Sequence, residues 1–271
     1  MCLSIVAILT LCTMNVATAS TGNYSTTFHN NAQHTREHIP MARCSTSNGT
    51  LHWNCKTEGI VTSSATPNGI VYVGSCDHNV YALSARTGAK VWSYSTDGNV
   101  RSCPAIADGI VCVGSDDGNV YALNATTGTK VWSYTTGSIV HSSPAVANGI
   151  VYIGSYDHNV YALDATTGTK VWSYTTGSVV GCSPTVANGI VYVGSDDHNV
   201  YALNAATGAK IWSYTTKSDV WSTPAVANGI VYVGSWDGNV YALNAATGAK
   251  IWSYTTGSIL WSPPAVVNGI G

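Results

Sequence analysis

Charge is scarce in this sequence: 11 basic and 13 acidic residues among 271 leave a net charge of −2 at pH 7. No basic field exists to gather nucleic acid or an anionic membrane, so the polar surface must be built from Ser, Thr, Asn and Gly. A long apolar run is missing too. The stretch Leu3–Cys12 falls well short of the ~20 residues of a comfortable bilayer span. No Lys or Arg precedes it, yet Ala17 and Ala19 have the small-residue spacing of a signal-peptidase site. Residues 1–20 are expected to be a secretory signal peptide, with a retained N-terminal anchor or assembly segment as the alternative. Cys12 lacks the small residue that precedes a lipidated cysteine. Residues 21–49 are then an N-terminal extension and 50–271 the folded unit. The expected location is extracellular, at the cell surface, or periplasmic in a Gram-negative host. A disulfide framework is also absent: Cys55, Cys76, Cys103, Cys112 and Cys182 share no repeat phase and stand where other copies have Tyr, Ser or Asp.

What the chain does contain is one 40-residue unit written five times between Asn68 and Val267. The copies 188–227 and 228–267 differ only at Asp196/Trp236, His198/Gly238, Lys217/Gly257, Asp219/Ile259, Val220/Leu260, Thr223/Pro263 and Ala227/Val267. Such a unit cannot bury its own apolar face and must stack on its neighbours. In the copy from Asn148, Ser143–Ala147 reads as a short strand, Asn148-Gly149 as a two-residue hairpin turn and Ile150–Gly154 as a second strand. Asp157-His158-Asn159 turns the chain into a third strand, Val160–Leu163. Thr167-Gly168 turns it again into a fourth, Thr169–Tyr174. Four antiparallel strands per unit, with turns every 8–12 residues, describe a β-propeller blade. Trp92, Trp132, Trp172, Trp212 and Trp252 recur once per blade and are expected to wedge between neighbouring sheets as structural residues. The fold is therefore all-β, with five complete blades. A partial sixth is closed by an N-terminal strand, Leu51–Lys56, and a C-terminal strand, Pro264–Val267. Its third strand is missing, so either the ring closes imperfectly, or the chain is a fragment of a seven- or eight-bladed relative, or a strand comes from elsewhere, since an open edge invites strand addition by another chain.

The run Tyr161-Ala162-Leu163-Asp164-Ala165-Thr166-Thr167-Gly168-Thr169-Lys170-Val171-Trp172 resembles the tryptophan-docking repeat of pyrroloquinoline-quinone-type propellers. That group includes quinoprotein dehydrogenases and a bacterial outer-membrane assembly lipoprotein, and the resemblance covers roughly Thr50 to Gly271. Phe28-His29 through Gln33-His34-Thr35 resembles the segment preceding the propeller in secreted relatives. For a dehydrogenase the resemblance implies a bound quinone, a Ca²⁺ ion, a catalytic Asp and an adjacent pair of cysteines. No adjacent cysteines occur. Asp77, Asp117, Asp157, Asp197 and Asp237 occupy one hairpin slot, which is turn chemistry and not one asymmetric site. No catalytic residue, quinone, Ca²⁺ or other metal is expected. His78, His158 and His198 also share a phase, so they stand a blade apart and read as solvated turn residues.

Variation between copies carries the remaining signal. In a propeller the loop entering each blade and the turn between its second and third strands share one face. Six of the seven differences fall on or beside that pair. The other face, written Ala-Asn-Gly and Ala-Thr-Gly, barely changes. The variable face carries Arg101, His141, Gly181, Trp221 and Trp261 in one slot and Cys76, Asp116, Tyr156, Asp196 and Trp236 in another. Loops that bear no packing load drift after duplication, which explains the variability but not the aromatic bias. Arg101, His141, Tyr156, Trp221, Trp236 and Trp261 are the expected binding residues, with the three indoles forming an exposed stacking platform for a protein or a carbohydrate. The expected function is an exported, non-catalytic binding scaffold. A surface or filament subunit assembling through the open blade edge is the alternative, and a quinoprotein oxidoreductase comes third.

Overall fold

The computed structural model describes residues 69–266 together with Thr57, Gly59 and the strands Val16–Ala19, Gly22–Ser25, Met41–Thr46, Leu51–Lys56 and Val61–Ala65. Its strands form six four-stranded sheets, all antiparallel, with no helix among the described residues. The five sheets built from the repeat follow the sequence reading strand for strand. In the sheet of Ala145–Ala147, Ile150–Gly154, Asn159–Asp164 and Lys170–Thr175, each strand pairs with the next in chain order. Asn148 (φ 51°) and Gly149 (φ 74°) supply the left-handed pair that a tight hairpin turn needs. The first of these five sheets takes Val61–Ala65 as its opening strand.

The first sheet corrects the expected sixth blade. Leu51–Lys56 pairs with Met41–Thr46, from Met41↔Lys56 to Ser45↔Leu51, and Val16–Ala19 and Gly22–Ser25 complete the sheet. Pro264, Ala265 and Val266 lie in no strand, and Val267 is outside the described residues. The physical reason is local: a hairpin partner a few residues away costs far less loop-closure entropy than one some two hundred residues on. Two stretches assigned to an extension therefore carry strands. Residues 1–15 of the expected signal peptide, the segment from Phe28 to Thr35 and the adjacent extension lie outside the described residues.

The core sits between successive sheets, not within them. Period-2 alternation in Asn159–Asp164 sends Val160 and Ala162 toward the following sheet, where they meet Val191, Val193, Tyr201 and Leu203. Tyr161 and Leu163 point the other way, onto Val120, Ala122 and Trp132. Each central strand is thus apolar on both faces. Trp172 fills the gap: its indole N–H donates to the Ala205 carbonyl of the next sheet at 2.8 Å, and its ring lies against Gly208. Trp92, Trp132 and Trp212 repeat this contact with Ala125, Ala165 and Ala245. All four are 7–8% exposed, whereas Trp252 is 41% exposed.

Candidate functional site

Hydrogen bonds define the two faces. On one, the Ala125, Ala165, Ala205 and Ala245 amides donate to Gly109, Gly149, Gly189 and Gly229 carbonyls at 2.8–2.9 Å, tying the two turns of each blade in the same way every time. On the other, the turn between the second and third strands bonds to the loop entering that blade: Asp116 N–H to Asn99, Tyr156 to Ile139, Asp196 to Val179 and Trp236 to Asp219. The variable slots therefore share a face held rigidly by backbone, with their side chains left to differ.

The aspartate beside each variable position performs the turn work expected of it. Asp157 Oδ1 accepts the Asn159 amide at 3.0 Å, while Oδ2 accepts the Tyr161 hydroxyl at 2.7 Å and the Gly137 amide at 2.6 Å. Burial alone would raise its pKa, but these hydrogen bonds hold it below the usual carboxylate value. Asp117, Asp197 and Asp237 are held low in the same way. Each such carboxylate also staples the outgoing loop of the preceding sheet. His78, His158 and His198 take left-handed backbone angles (φ 69°, 72° and 71°) in these turns. His198 is exposed, as expected of a turn histidine, and its Nδ1 lies 3.0 Å from Asp219 Oδ1.

The expected binding residues fall into one connected row. Arg101 Nε donates to Asp116 Oδ2 at 2.9 Å, and His141 Nε2 lies 3.0 Å from Asp116 Oδ1, off the hydrogen-bond line. The Tyr156 hydroxyl meets His141 Nδ1 at 2.6 Å. Burial pulls the His141 pKa down, so the neutral ring accepts from Tyr156 at Nδ1 and keeps its proton at Nε2, facing Asp116. Burial, with Asp196 and Asp116 adding negative charge, pushes the Tyr156 phenol up to about 12. A phenol held that high is a hydrogen-bond donor, not a nucleophile.

Tyr156 leads into the indoles. Its ring meets Trp221 edge-on at 6.1 Å, and Trp221 stacks on Trp236 at 5.6 Å with 18° between planes. Trp261 closes the cluster, 4.4 Å from Trp236 and 5.8 Å from Trp221. Tyr156 and Trp221 belong to blades that are not neighbours, and Gly181 makes their contact possible. The Trp221 indole lies over Gly181, where an added Cβ would stand 3.0 Å from the ring. The sequence expectation of three exposed indoles is corrected here: Trp261 is exposed, but Trp221 and Trp236 are half-buried against each other. The reason is that side chains forty residues apart in the repeat converge where the entering loops meet.

Acidic groups border the cluster, and the sequence reading did not count them as site residues. Burial, reinforced by Asp219 and Asp197, pushes the Asp196 carboxyl up to about 6, with Trp221 and His198 opposing the rise. Among the buried side-chain polar atoms of the cluster, Asp116 Oδ1 faces His141 Nε2, Trp221 interacts with the Asp196 carboxylate, and Trp236 Nε1 has no hydrogen-bond partner among the described residues. All three lie in this cluster. The available signal was slot identity: Asp116 and Asp196 occupy the same variable slot as Tyr156 and Trp236.

Comparison with known proteins accords with this architecture. Residues 41–178 and 157–268 match the family described as outer membrane protein assembly factor BamB. The crystal structure of BamB from Moraxella catarrhalis superposes with a TM-score of 0.73 at 24% identity, covering 85% of this chain and 72% of that one. A quinohemoprotein alcohol dehydrogenase, ADHIIG from Pseudomonas putida HK5, superposes with a TM-score of 0.62 at 21% identity. It covers 71% of this chain, which spans 41% of the dehydrogenase. At these identities the likeness is one of fold. None of the curated proteins matches the sequence.

Proposed function

This chain belongs to the family of the outer membrane protein assembly factor BamB, and from that premise we propose that it is a non-catalytic propeller that binds a partner protein through its variable face. The observation that carries the reading is the joined row of Arg101, Asp116, His141 and Tyr156 running into the indoles Trp221, Trp236 and Trp261. Protein-binding hot spots are enriched in Trp, Tyr and Arg, set in a patch with a polar rim. The row also supports a role without catalysis. Its histidine is held neutral by burial, its phenol is tied to that histidine, and the turn aspartates spend their oxygens on backbone and tyrosine donors. No quinone or Ca²⁺ enters this reading. We place the protein in the cell envelope or outside the cell, where a surface poor in charge would meet an extended partner segment.

A carbohydrate would use the same indoles, so the test presents both ligand types. The immobilised chain is screened against a displayed random-peptide library and a glycan array, and the ligands found are re-measured on Trp221→Ala and Trp261→Ala. Peptides that lose at least about ten-fold in affinity on both variants support the reading, a loss of ~1.4 kcal/mol. Ligands indifferent to both substitutions sink it. Glycans in place of peptides move the site to carbohydrate binding, and quinone-dependent alcohol oxidation overturns the non-catalytic part.

A further inference from the structure

Charges on the variable face are unequally matched. Arg101 Nε engages Asp116 at 2.9 Å, and the turn carboxylates Asp157, Asp197 and Asp237 each accept a backbone amide and a tyrosine hydroxyl. Asp196 and Asp219 are matched less well. Asp219 Oδ1 lies 3.0 Å from His198 Nδ1, and Asp196 has no ion-pair partner among the described residues. Both carboxylates are half-buried, and after burial itself the Asp219 charge is the largest cause of the raised Asp196 pKa. Like charges held this close favour an added cation. Aromatic rings wall the same corner. Trp221 interacts with the Asp196 carboxylate, stacks on Trp236 at 5.6 Å and meets Tyr156 edge-on at 6.1 Å. Asp196 belongs to the sheet of residues 185–215, while Asp219 and Trp221 lie on the loop entering the sheet of residues 225–255. The corner is therefore built between two sheets that are both present, and it stands without Trp261.

We infer that the corner formed by Asp196, Asp219 and the Trp221 indole takes the guanidinium of an arginine side chain from a partner segment. The inference rests on the reading that the variable face binds protein, and it adds the chemistry that the face selects. An indole attracts a cation through the negative face of its ring, and a carboxylate beside the ring supplies the counter-charge. Arginine satisfies both at once. Its guanidinium is flat enough to lie against an aromatic ring, presents a fork of N–H donors to a carboxylate, and is more weakly hydrated than the ammonium of lysine. A half-buried corner favours the cation that gives up water more readily. Among the described residues no group of three His, Cys, Asp or Glu side chains is placed to hold a metal ion, so the carboxylates are arranged for an organic cation. An anionic side chain would meet repulsion from both aspartates.

The test titrates the 271-residue chain with N-acetylarginine amide at about pH 7.5, where Asp196 is ionised, and with the lysine and glutamine analogues beside it. Tryptophan emission and the indole N–H resonances report binding. The arginine probe is expected to bind saturably with a Kd of roughly 1–10 mM, the lysine analogue more weakly and the neutral glutamine analogue not at all. Asp196→Asn and Trp221→Ala each weaken the arginine probe at least about five-fold, with circular dichroism confirming that the sheets remain folded. Four results overturn the inference: no saturation by about 50 mM, glutamine or lysine analogues binding as tightly as arginine, or affinity unchanged by Asp196→Asn. The peptide screen separates this inference from the reading beneath it. Trp221-dependent peptides without arginine overturn the inference and leave protein binding standing. Binding of the arginine probe with no peptide recovered keeps the cation site and overturns the protein-binding reading.

Discussion

Replacing the same tryptophan in two blades should give unequal losses. Trp172 and Trp252 occupy identical slots, but only Trp172 is covered by a following sheet. The exposures, 8% and 41%, differ by about a third of a tryptophan's surface of up to ~250 Å², or roughly 80 Å² and ~2 kcal/mol of apolar transfer. The hydrogen bond to Ala205 adds about 1 kcal/mol, and no more, because the Tyr152 hydroxyl still donates to that carbonyl at 3.1 Å. Trp172→Ala is therefore expected to cost about 3–5 kcal/mol, as large aromatic-to-alanine core changes do, and Trp252→Ala about 3 kcal/mol less. Trp172→Phe, which keeps much of the ring, should cost about 1–2 kcal/mol. Urea unfolding at low protein concentration checks this, followed by both fluorescence and circular dichroism, because a stacked array need not unfold in one step. Equal midpoint shifts for Trp172→Ala and Trp252→Ala would refute the account of how the sheets are held.

Asp196 has a folded pKa of about 6, above its unfolded value, so between pH 4 and 6 the native state holds the extra proton and stability falls as pH rises. Asp196→Asn should flatten the melting-temperature profile across that window and raise the melting point at pH 7; an unchanged slope would show that another group is responsible. His158 occupies a left-handed turn position (φ 72°) that Gly118 and Gly238 fill in other blades. His158→Gly is expected to be near neutral in urea unfolding, whereas His158→Val should cost about 1–2 kcal/mol because a β-branched residue resists that angle. A Gly181→Val change puts carbon where the Trp221 ring lies, so the indole cluster should open, with red-shifted emission and little loss of stability. Emission identical to the wild type would mean that Trp221 does not rest on that glycine in solution.

Most of the repeat module was legible because its determinants are local. Asn148-Gly149 sets one turn by backbone angle, Asp157 and Asn159 cap another, and alternation in Val160–Leu163 assigns each side chain to a sheet face. The partner of Leu51–Lys56 was not legible in the same way. The segment before it departs from the repeat, so Met41–Thr46 carries no repeat signature that marks it as the pairing strand. The expected binding residues share one face and form one row, but the contacts among them were not legible. Arg101 and His141 are engaged by Asp116, and two of the three indoles are half-buried.

The sequence by itself determined the blade: strand lengths, turn chemistry, one tryptophan per unit, and a variable face set against a constant one. All of these follow from interactions within about forty residues of chain. Only the tertiary structure decided which variable side chains touch, that Trp221 crosses Gly181 to reach Tyr156, and that Trp252 stands uncovered while Trp212 is sealed. Those outcomes depend on how far each sheet turns relative to the next. That rotation is set by packing across the whole stack, and no single repeat encodes it.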